Sequence, residues 1–502
     1  MVRLRDFPRT FWVANVMELF ERAAYYGLNS VLAVYLTAET MKGGLGFTES
    51  SVGFLQSLIY ACNYVVPILG GALADRYGYR RMVLVAFALL TAGYFASGRV
   101  SSYALVFLFL LLMATGGGLF KPIISGTIAR TTDERTSAIG FGIYYWMINV
   151  GAFVAPLLVS WYKGISWPLV FTASAAYTAV MLLPAAFVYR DPPRPENTRS
   201  LRESLVGAVE VLGDARFMLT VVVYSGFWIL YFQNFGTVLY YLRDFVDRAP
   251  VTAAVNGMLA RVGLGGFEFD VEHVTSINAL TIIALQIVVS ALVRRWNALG
   301  TMVGGMLIGA VGFALLALSQ NPWVFIAGIA VFSVGEMTAH PKYYSFIGLV
   351  APADRKAVYM GYAFLYGVFG SLIGANLGAT FYEAYLQPAM GTPAAGGRSF
   401  WFWMTFAILD VVAAAGLYFV GRHFGTDTPE TRRGARRVMI FVYLLIAVLG
   451  AGVLGYDIAA HLFWSAPLNY KTAVQALLFI ALGSGGIAVL RRGAGRLEGA
   501  SR

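Results

Sequence analysis

Charge is scarce in this chain. Of its 502 residues only 13% are Asp, Glu, Lys or Arg, while 58% are hydrophobic. A water-soluble domain carries about a quarter charged residues, so this composition excludes a globule wetted on all sides and points to a surface that faces lipid. Cysteine is nearly absent. Cys62 stands alone, which excludes an intramolecular disulfide and a CxxC metal or redox site. The four histidines (His273, His340, His423 and His461) are scattered, which argues against a histidine metal cluster. No GxxxxGK[ST], HExxH or GxSxG stretch occurs, so nothing suggests ATP hydrolysis or a membrane-embedded hydrolase, and the chain is expected to be no enzyme. The net charge of +11 does not imply nucleic acid, because the cations sit in short loops between apolar runs.

Long apolar runs are abundant. Val83–Leu90, Ala104–Met113 and Val438–Leu454 contain no charge. A hydrocarbon core of about 30 Å needs roughly 20 apolar residues in helix, and backbone groups in lipid must be satisfied within a helix or a closed barrel. The runs do not alternate, so the expected fold class is an all-α membrane protein. Spans are expected near 11–37, 51–74, 82–98, 103–129, 138–162, 168–189, 216–242, 274–293, 301–319, 322–350, 358–385, 399–421, 436–456 and 470–490, about fourteen in all. The first span carries Glu18, Glu21 and Arg22, which a cleavable signal peptide would not tolerate, so it reads as part of the mature chain.

Alternate loops are rich in cations: Arg3, Arg5 and Arg9; Arg76, Arg80 and Arg81; Arg130 and Arg135; Arg190, Arg194, Arg199 and Arg202; Arg294 and Arg295; Arg355 and Lys356; Arg432, Arg433, Arg436 and Arg437; Arg491, Arg492 and Arg496. The intervening loops hold only scattered cations such as Lys42, Lys163, Arg248 and Lys471. The positive-inside rule then places both termini in the cytoplasm of a bacterial-type inner membrane. A polar, proline-containing stretch separates a six-helix unit at 1–190 from a second at 216–425, with a linker at 191–215 and two further spans within 426–502.

After the second span the chain reads Gly71-Ala72-Leu73-Ala74-Asp75-Arg76-Tyr77-Gly78-Tyr79-Arg80-Arg81. Gly71 and Gly78 permit close approach and a tight turn, and Asp75 can sit against a helix N-terminus or an arginine. The stretch resembles the loop motif of the major facilitator superfamily, and Val293–Gly300 resembles a worn copy of it. That resemblance implies two six-helix bundles with substrate bound between them at mid-membrane; the two C-terminal helices are an appendix, a scaffold or an oligomer surface.

A charge at a helix centre costs roughly 2.5–3.5 kcal/mol on insertion scales, so intramembrane ionisable residues need a cavity or a partner. Spacings of three, four and seven put Glu18, Glu21, Arg22, Tyr25 and Asn29 on one helical face. Arg22 can neutralise one carboxylate and leave the other to accept a proton. The plainer alternative is a static ion pair that fixes helix packing.

Glu18-x-x-Glu21-Arg22 with Tyr25-Tyr26-Gly27 resembles the first-helix signature of the proton-coupled oligopeptide transporters. Gly116-Gly117-Gly118-Leu119-Phe120-Lys121-Pro122, Tyr144-Tyr145-Trp146-Met147-Ile148-Asn149-Val150-Gly151, and Gly335-Glu336 before Pro341 resemble that family's fourth-, fifth- and tenth-helix patterns, in the right order. The resemblance implies alternating-access symport of di- and tripeptides or peptide-like solutes with protons, with the proton gradient in place of any cofactor or metal and with no nucleic-acid partner. It further implies that Arg22 and Lys121 hold a peptide carboxylate and Glu336 its amine. Tyr25, Tyr26, Tyr64 and Asn149 would bond the peptide backbone, and Trp228 and Tyr231 would wall the pocket. Glu18, Glu21, Arg22, Glu336 and His340 are the proton-coupling candidates; Gly71, Asp75, Arg76, Gly78 and Arg80 form the loop motif. A monomer is the expected state.

One departure matters. The family's seventh helix commonly carries an acid before a glutamine, and here Phe232 precedes Gln233. An alternative cargo therefore stays open: an exporter or carrier of drugs, peptidic metabolites or other organic ions. Lys342 and Asp410 are further intramembrane ionisable residues without an assigned role.

Overall fold

The computed structural model describes residues 4–133, 135–192, 207, 211–350, 359–360, 362–426, 428–464 and 470–499. Arg3, Arg194, Arg199, Arg202, Arg355 and Lys356, and most of the expected linker at 191–215, lie outside the described residues. Among the described residues all regular structure is helical. The long helices are α1 (Arg9–Asn29), α2 (Glu49–Tyr77), α3 (Tyr79–Ser97), α4 (Tyr103–Arg130), α5 (Ser137–Ile165), α6 (Trp167–Val180, prolonged by Leu182–Phe187) and α7 (Ala215–Gln233, prolonged by Thr237–Phe245). They continue with α8 (His273–Val293), α9 (Ala298–Leu318), α10 (Pro322–Val350), α11 (Leu365–Phe381), α12 (Ala395–Phe424), α13 (Pro429–Trp464) and α14 (Tyr470–Gly499).

Among the described residues twelve helices are long and apolar enough to cross a membrane. The chain is a multi-pass integral membrane protein. The expected count of about fourteen is not established by that measure: α1 carries Arg9, Glu18, Glu21 and Arg22 within its 21 residues, and α11 has 17 residues. The expected first span at 11–37 is also not one continuous helix. It breaks at Ser30–Val31, and a separate turn of helix covers Leu32–Thr37. A helix at Ala249–Leu259, in the connection before α8, was not expected.

Helices α1, α3, α4, α5 and α6 pack among themselves with α2, and α7 to α12 pack among themselves. Among the described residues the main crossings between these groups are α2 with α11 and α5 with α8. Small residues allow the crossings. A Cβ on Gly53 of α2 would lie 2.4 Å from the Ala379 side chain and 2.7 Å from the Ala375 carbonyl of α11, so only glycine admits this backbone approach. The C-terminal pair packs together, with α13 against α7. Lys471 of α14 reaches Ser51 of α2, and Gln475 accepts from Asn376 of α11 at 2.8 Å. The appendix thus touches both groups.

The glycine-rich loop after α2 is a clamp. Gly78 adopts φ 94°, a left-handed conformation that a side chain disfavours, and so turns the chain directly into α3. Of the two partners expected for Asp75, the structure uses the arginine: Arg130 of α4 donates to it at 2.7 Å, and the Tyr79 hydroxyl donates at 3.2 Å. The Arg80 amide donates to Asp191 at 2.6 Å and its guanidinium donates to the Ala186 carbonyl. Close approach belongs to Gly70 rather than Gly71: a Cβ at 70 would meet Pro122 at 3.0 Å, whereas one at 71 would meet it at 3.9 Å. Asp75→Asn is expected to lower stability by about 1–2 kcal/mol, read as a lower melting temperature in detergent, because Arg130 keeps its part-buried charge and loses the compensating one.

Candidate functional site

The polar stripe of α1 turns inward. Glu18, Glu21 and Arg22 are 1%, 0% and 7% exposed. Arg22 pairs directly with Glu21 and lies 3.4 Å from Glu18, so it spans both carboxylates rather than one, as the spacing alone had suggested. Each acid keeps one buried oxygen, Glu18 Oε2 and Glu21 Oε1, without a hydrogen-bond partner among the described residues. The guanidinium carbon stands 5.1 Å from the Tyr25 ring and 5.8 Å from the Tyr26 ring, within cation–π range.

The glycine triplet of α4 makes room for this cluster. A Cβ on Gly117 would lie 3.0 Å from Asn63 Oδ1 and 3.6 Å from Glu21 Oε1. One on Gly116 would meet the Ala86 carbonyl at 2.8 Å, and one on Gly118 would meet Val66 at 2.6 Å. The bare face lets α4 close on α1 to α3 and sets Lys121 one turn further on. The Lys121 ammonium sits 5.0 Å from the Tyr64 ring centre and within electrostatic reach of Arg22, Glu21 and Glu18. Four of the expected site residues therefore share one neighbourhood. Asn149 donates to the Tyr145 carbonyl of its own helix at 2.9 Å, leaving its amide oxygen for another donor.

Glu336 of α10 accepts from Asn278 of α8 at 3.0 Å, and the same amide donates to Ser333 at 2.8 Å. The phenols of Tyr26, Tyr64, Tyr145 and Tyr231 all lie within reach of its charge. Tyrosines of α1, α2, α5 and α7 thus share the electrostatic neighbourhood of Glu336, and those of α1 and α2 also flank Arg22 and Lys121. Trp228 is buried, stacked on Tyr366 at 4.4 Å and tilted against Tyr231 at 4.5 Å. His340 packs against Trp228, Tyr344 and Tyr366. No hydrogen bond joins it to Glu336 among the described residues, so the structure does not form the pairing that their four-residue spacing invited. Lys342 donates to the Trp296 carbonyl at 3.1 Å, away from the cluster.

At the end of the molecule remote from the N-terminus the two helix groups are bolted together. Phe232 stacks on Tyr60 of α2 at 5.2 Å. Gln56 donates to the Phe235 carbonyl at 2.8 Å, and Tyr60 donates to Asn29 at 2.9 Å. The aromatic residue in the acid's place is thus itself part of a cross-group contact. Beyond it Arg243 holds Asp244 at 2.6 Å, Glu49 at 3.4 Å and Thr37 at 2.9 Å. Lys163 of α5 holds Asp270 at 2.6 Å and Glu272 at 2.8 Å, and Arg248 also pairs with Asp270. Burial alone would push the Asp270 carboxyl up; Lys163 and Arg248 outweigh it and hold the group below the usual carboxylate range. Lys163 and Arg248 looked like isolated loop cations in the sequence, and the network they form was missed.

Comparison with known proteins fits this architecture. The chain is 24% identical over 438 residues to an uncharacterised transporter of Bacillus subtilis, covering 74% of this chain and 88% of that one. It is 28% identical over 242 residues to a di-/tripeptide transporter of Lactococcus lactis, covering 45% of this chain and 46% of that one. It is 23% identical over 451 residues to a peptide transporter of Yersinia enterocolitica, covering 72% and 85%. Among solved structures, a peptide transporter of the POT type in complex with sulfate superposes with a TM-score of 0.67 at 21% identity, covering 83% of this chain and 94% of that one. A POT family transporter in complex with 5-aminolevulinic acid superposes with a TM-score of 0.64 at 20% identity, covering 82% and 97%. The model of the Major Facilitator Superfamily matches residues 22–375, and with the two helix groups, their paired crossings and the α2–α3 clamp already in view, the chain belongs to that superfamily.

Proposed function

We infer that this protein is a secondary active transporter that moves di- and tripeptides, or solutes of that chemistry, together with protons by alternating access. The observation that carries the reading is the division of charge around one ring of tyrosines: Arg22 and Lys121 on the first helix group, Glu336 on the second. A zwitterionic peptide presents a carboxylate to the first pair and an ammonium to the second. Arginine suits bidentate contact with a carboxylate, while lysine supplies a mobile point charge. Tyr25, Tyr26, Tyr64 and Asn149 bond the peptide backbone, and Trp228 and Tyr231 wall the side-chain space. The peptide-transporter relatives support the same cargo.

Proton coupling falls to Glu18 and Glu21. Substrate that draws Arg22 away strips both acids of their shared cation, and a proton then binds. The cation-rich loops put both termini in the cytoplasm of a bacterial-type inner membrane. The far-end network then closes the external side, so the conformation described is the one sealed outward. The energy comes from the proton gradient, with no cofactor, and the unit is a monomer with six, six and two spans.

The test is binding of dialanine by the detergent-solubilised protein, followed as a rise in melting temperature, against N-acetyl-dialanine and dialanine amide. Dialanine is expected to bind at least about tenfold more tightly than either blocked form, since each leaves a buried charge unmatched. Equal binding of all three rejects the end-recognition scheme. The second reading, an exporter of organic ions, draws on Phe232 in place of the acid and expects no competition by dipeptides.

A further inference from the structure

Asp410, near the middle of α12, is 0% exposed, and neither carboxyl oxygen has a hydrogen-bond partner among the described residues. Helices α7 and α9 pack against this part of α12. The α9 sequence contains no ionisable side chain. Its Gly309 lies directly on the acid: a Cβ there would stand 3.3 Å from Asp410 Oδ2 and 2.7 Å from the Phe227 ring. Helix α7 brings the buried Tyr224, which lies within electrostatic reach of both Asp410 and Glu336.

Among the described residues no charged neighbour acts on the Asp410 carboxyl. Arg216 is tied to the Phe424 and Gly425 carbonyls at the end of α12. Glu383 accepts from the Ser50 amide, and Tyr382 donates to Asp244, at the opposite end. On the other face of Gly309 runs α10: a Cβ on Gly335 would lie 2.6 Å from the Gly309 nitrogen. Only the bare backbone of α9 therefore separates Asp410 from the residue before Glu336.

An unpaired carboxylate in such a place costs several kcal/mol, whereas a carboxylic acid loses only what a neutral polar group loses. Leucine or asparagine would fill the site without that liability. Acids kept inside a membrane bundle mark proton and ion paths. We propose that Asp410 is a second proton-binding residue of the transport cycle, standing in for the acid that Phe232 replaces on the same helix as Tyr224. It carries its proton in the conformation described. When α7 shifts and water enters, the O–H bond breaks heterolytically, the proton passes to that water, and the hydrated carboxylate is reprotonated as the pocket closes. This rests on the symport reading.

The experiment uses the full chain in proteoliposomes with dialanine as probe. Asp410→Asn is expected to lower accumulation driven by an imposed proton gradient about tenfold or more, while dialanine counterflow without a gradient stays within about twofold. Asp410→Glu, which keeps the proton site, restores accumulation in part. A residue that only packs helices would move both assays together, and equal losses in the two, or unchanged accumulation, overturn the proposal. Infrared spectra provide an arm that needs no transport. The wild type at neutral pH shows a protonated-carboxyl stretch that Asp410→Asn removes; identical spectra overturn the proposal. Should the wild type move no dialanine, the peptide reading fails and the infrared arm still decides whether Asp410 holds a proton.

Discussion

Glu21→Gln is expected to reduce gradient-driven dialanine uptake on the order of a hundredfold while leaving counterflow largely intact. The amide still accepts from Arg22, so the packing of α1 on α4 and α5 survives. What disappears is one of the two acids that share Arg22. Glu18, Glu21, Arg22 and Lys121 lie in one neighbourhood, and a glutamine at 21 can neither take up nor release a proton. Exchange of dialanine needs no net proton movement and proceeds; accumulation against a gradient does not. Uptake measured across neutral pH should show an altered pH dependence in this variant. A static ion pair would leave that dependence as it is in the wild type.

The second large effect concerns the external seal. Lys163 contacts Asp270 and Glu272, and the Glu272 side chain is 1% exposed. Lys163→Ala leaves Glu272 buried with, among the described residues, only Ser160 donating to it. Breaking a buried pair costs about 3–5 kcal/mol; discounted for the partial exposure of Lys163, about 2 kcal/mol remains against the sealed state, or some thirtyfold in population. Cys62 is the only cysteine, so a Cys62→Ser background carrying Gln56→Cys, which itself gives up one seal contact, serves as the reference in which Lys163→Ala is compared with Lys163. Labelling of the introduced thiol by an impermeant maleimide from outside should accelerate by about that factor. Lys163→Arg should keep the slow rate.

The same network gives a pH contrast. Asp270 is held below the usual carboxylate range, so it strengthens the seal fully above its ordinary value near pH 4 and loses that contribution as pH falls through the depressed one. It does not titrate near neutrality. Asp270→Asn should therefore loosen the seal without altering the neutral-pH dependence of transport, the reverse of Glu21→Gln.

What was legible in the sequence follows from the physics of each signal. The apolar runs and the α1 stripe are local: a helix of period 3.6 must put residues 18, 21, 22 and 25 on one side, and lipid admits such a side only when it faces inward. The glycine triplet before Lys121 and the loop after α2 are equally local signals, though the close approach in the loop falls to Gly70 and not to Gly71. The break at Ser30–Val31 is marked only by the Asn29-Ser30 pair, which reads equally well as the end of the polar stripe. Lys163 and Asp270 are 107 residues apart, in a connection whose extra helix at Ala249–Leu259 carries no membrane-length pattern, so no periodicity could pair them. Asn278 was invisible for a similar reason: a lone amide in an apolar helix gains meaning only when Glu336 is seen beside it. Phe232 was recognised as the missing acid, but its stack on Tyr60 depends on the crossing of two groups that no local pattern describes.

The peptide–proton scheme stands or falls on uptake of dialanine by proteoliposomes holding the full chain under an imposed inward proton gradient. Concentrative uptake is expected, abolished by a protonophore and competed by other di- and tripeptides but not by free alanine. Uptake that ignores collapse of the gradient, or no dialanine movement by a folded and monodisperse protein, would contradict it.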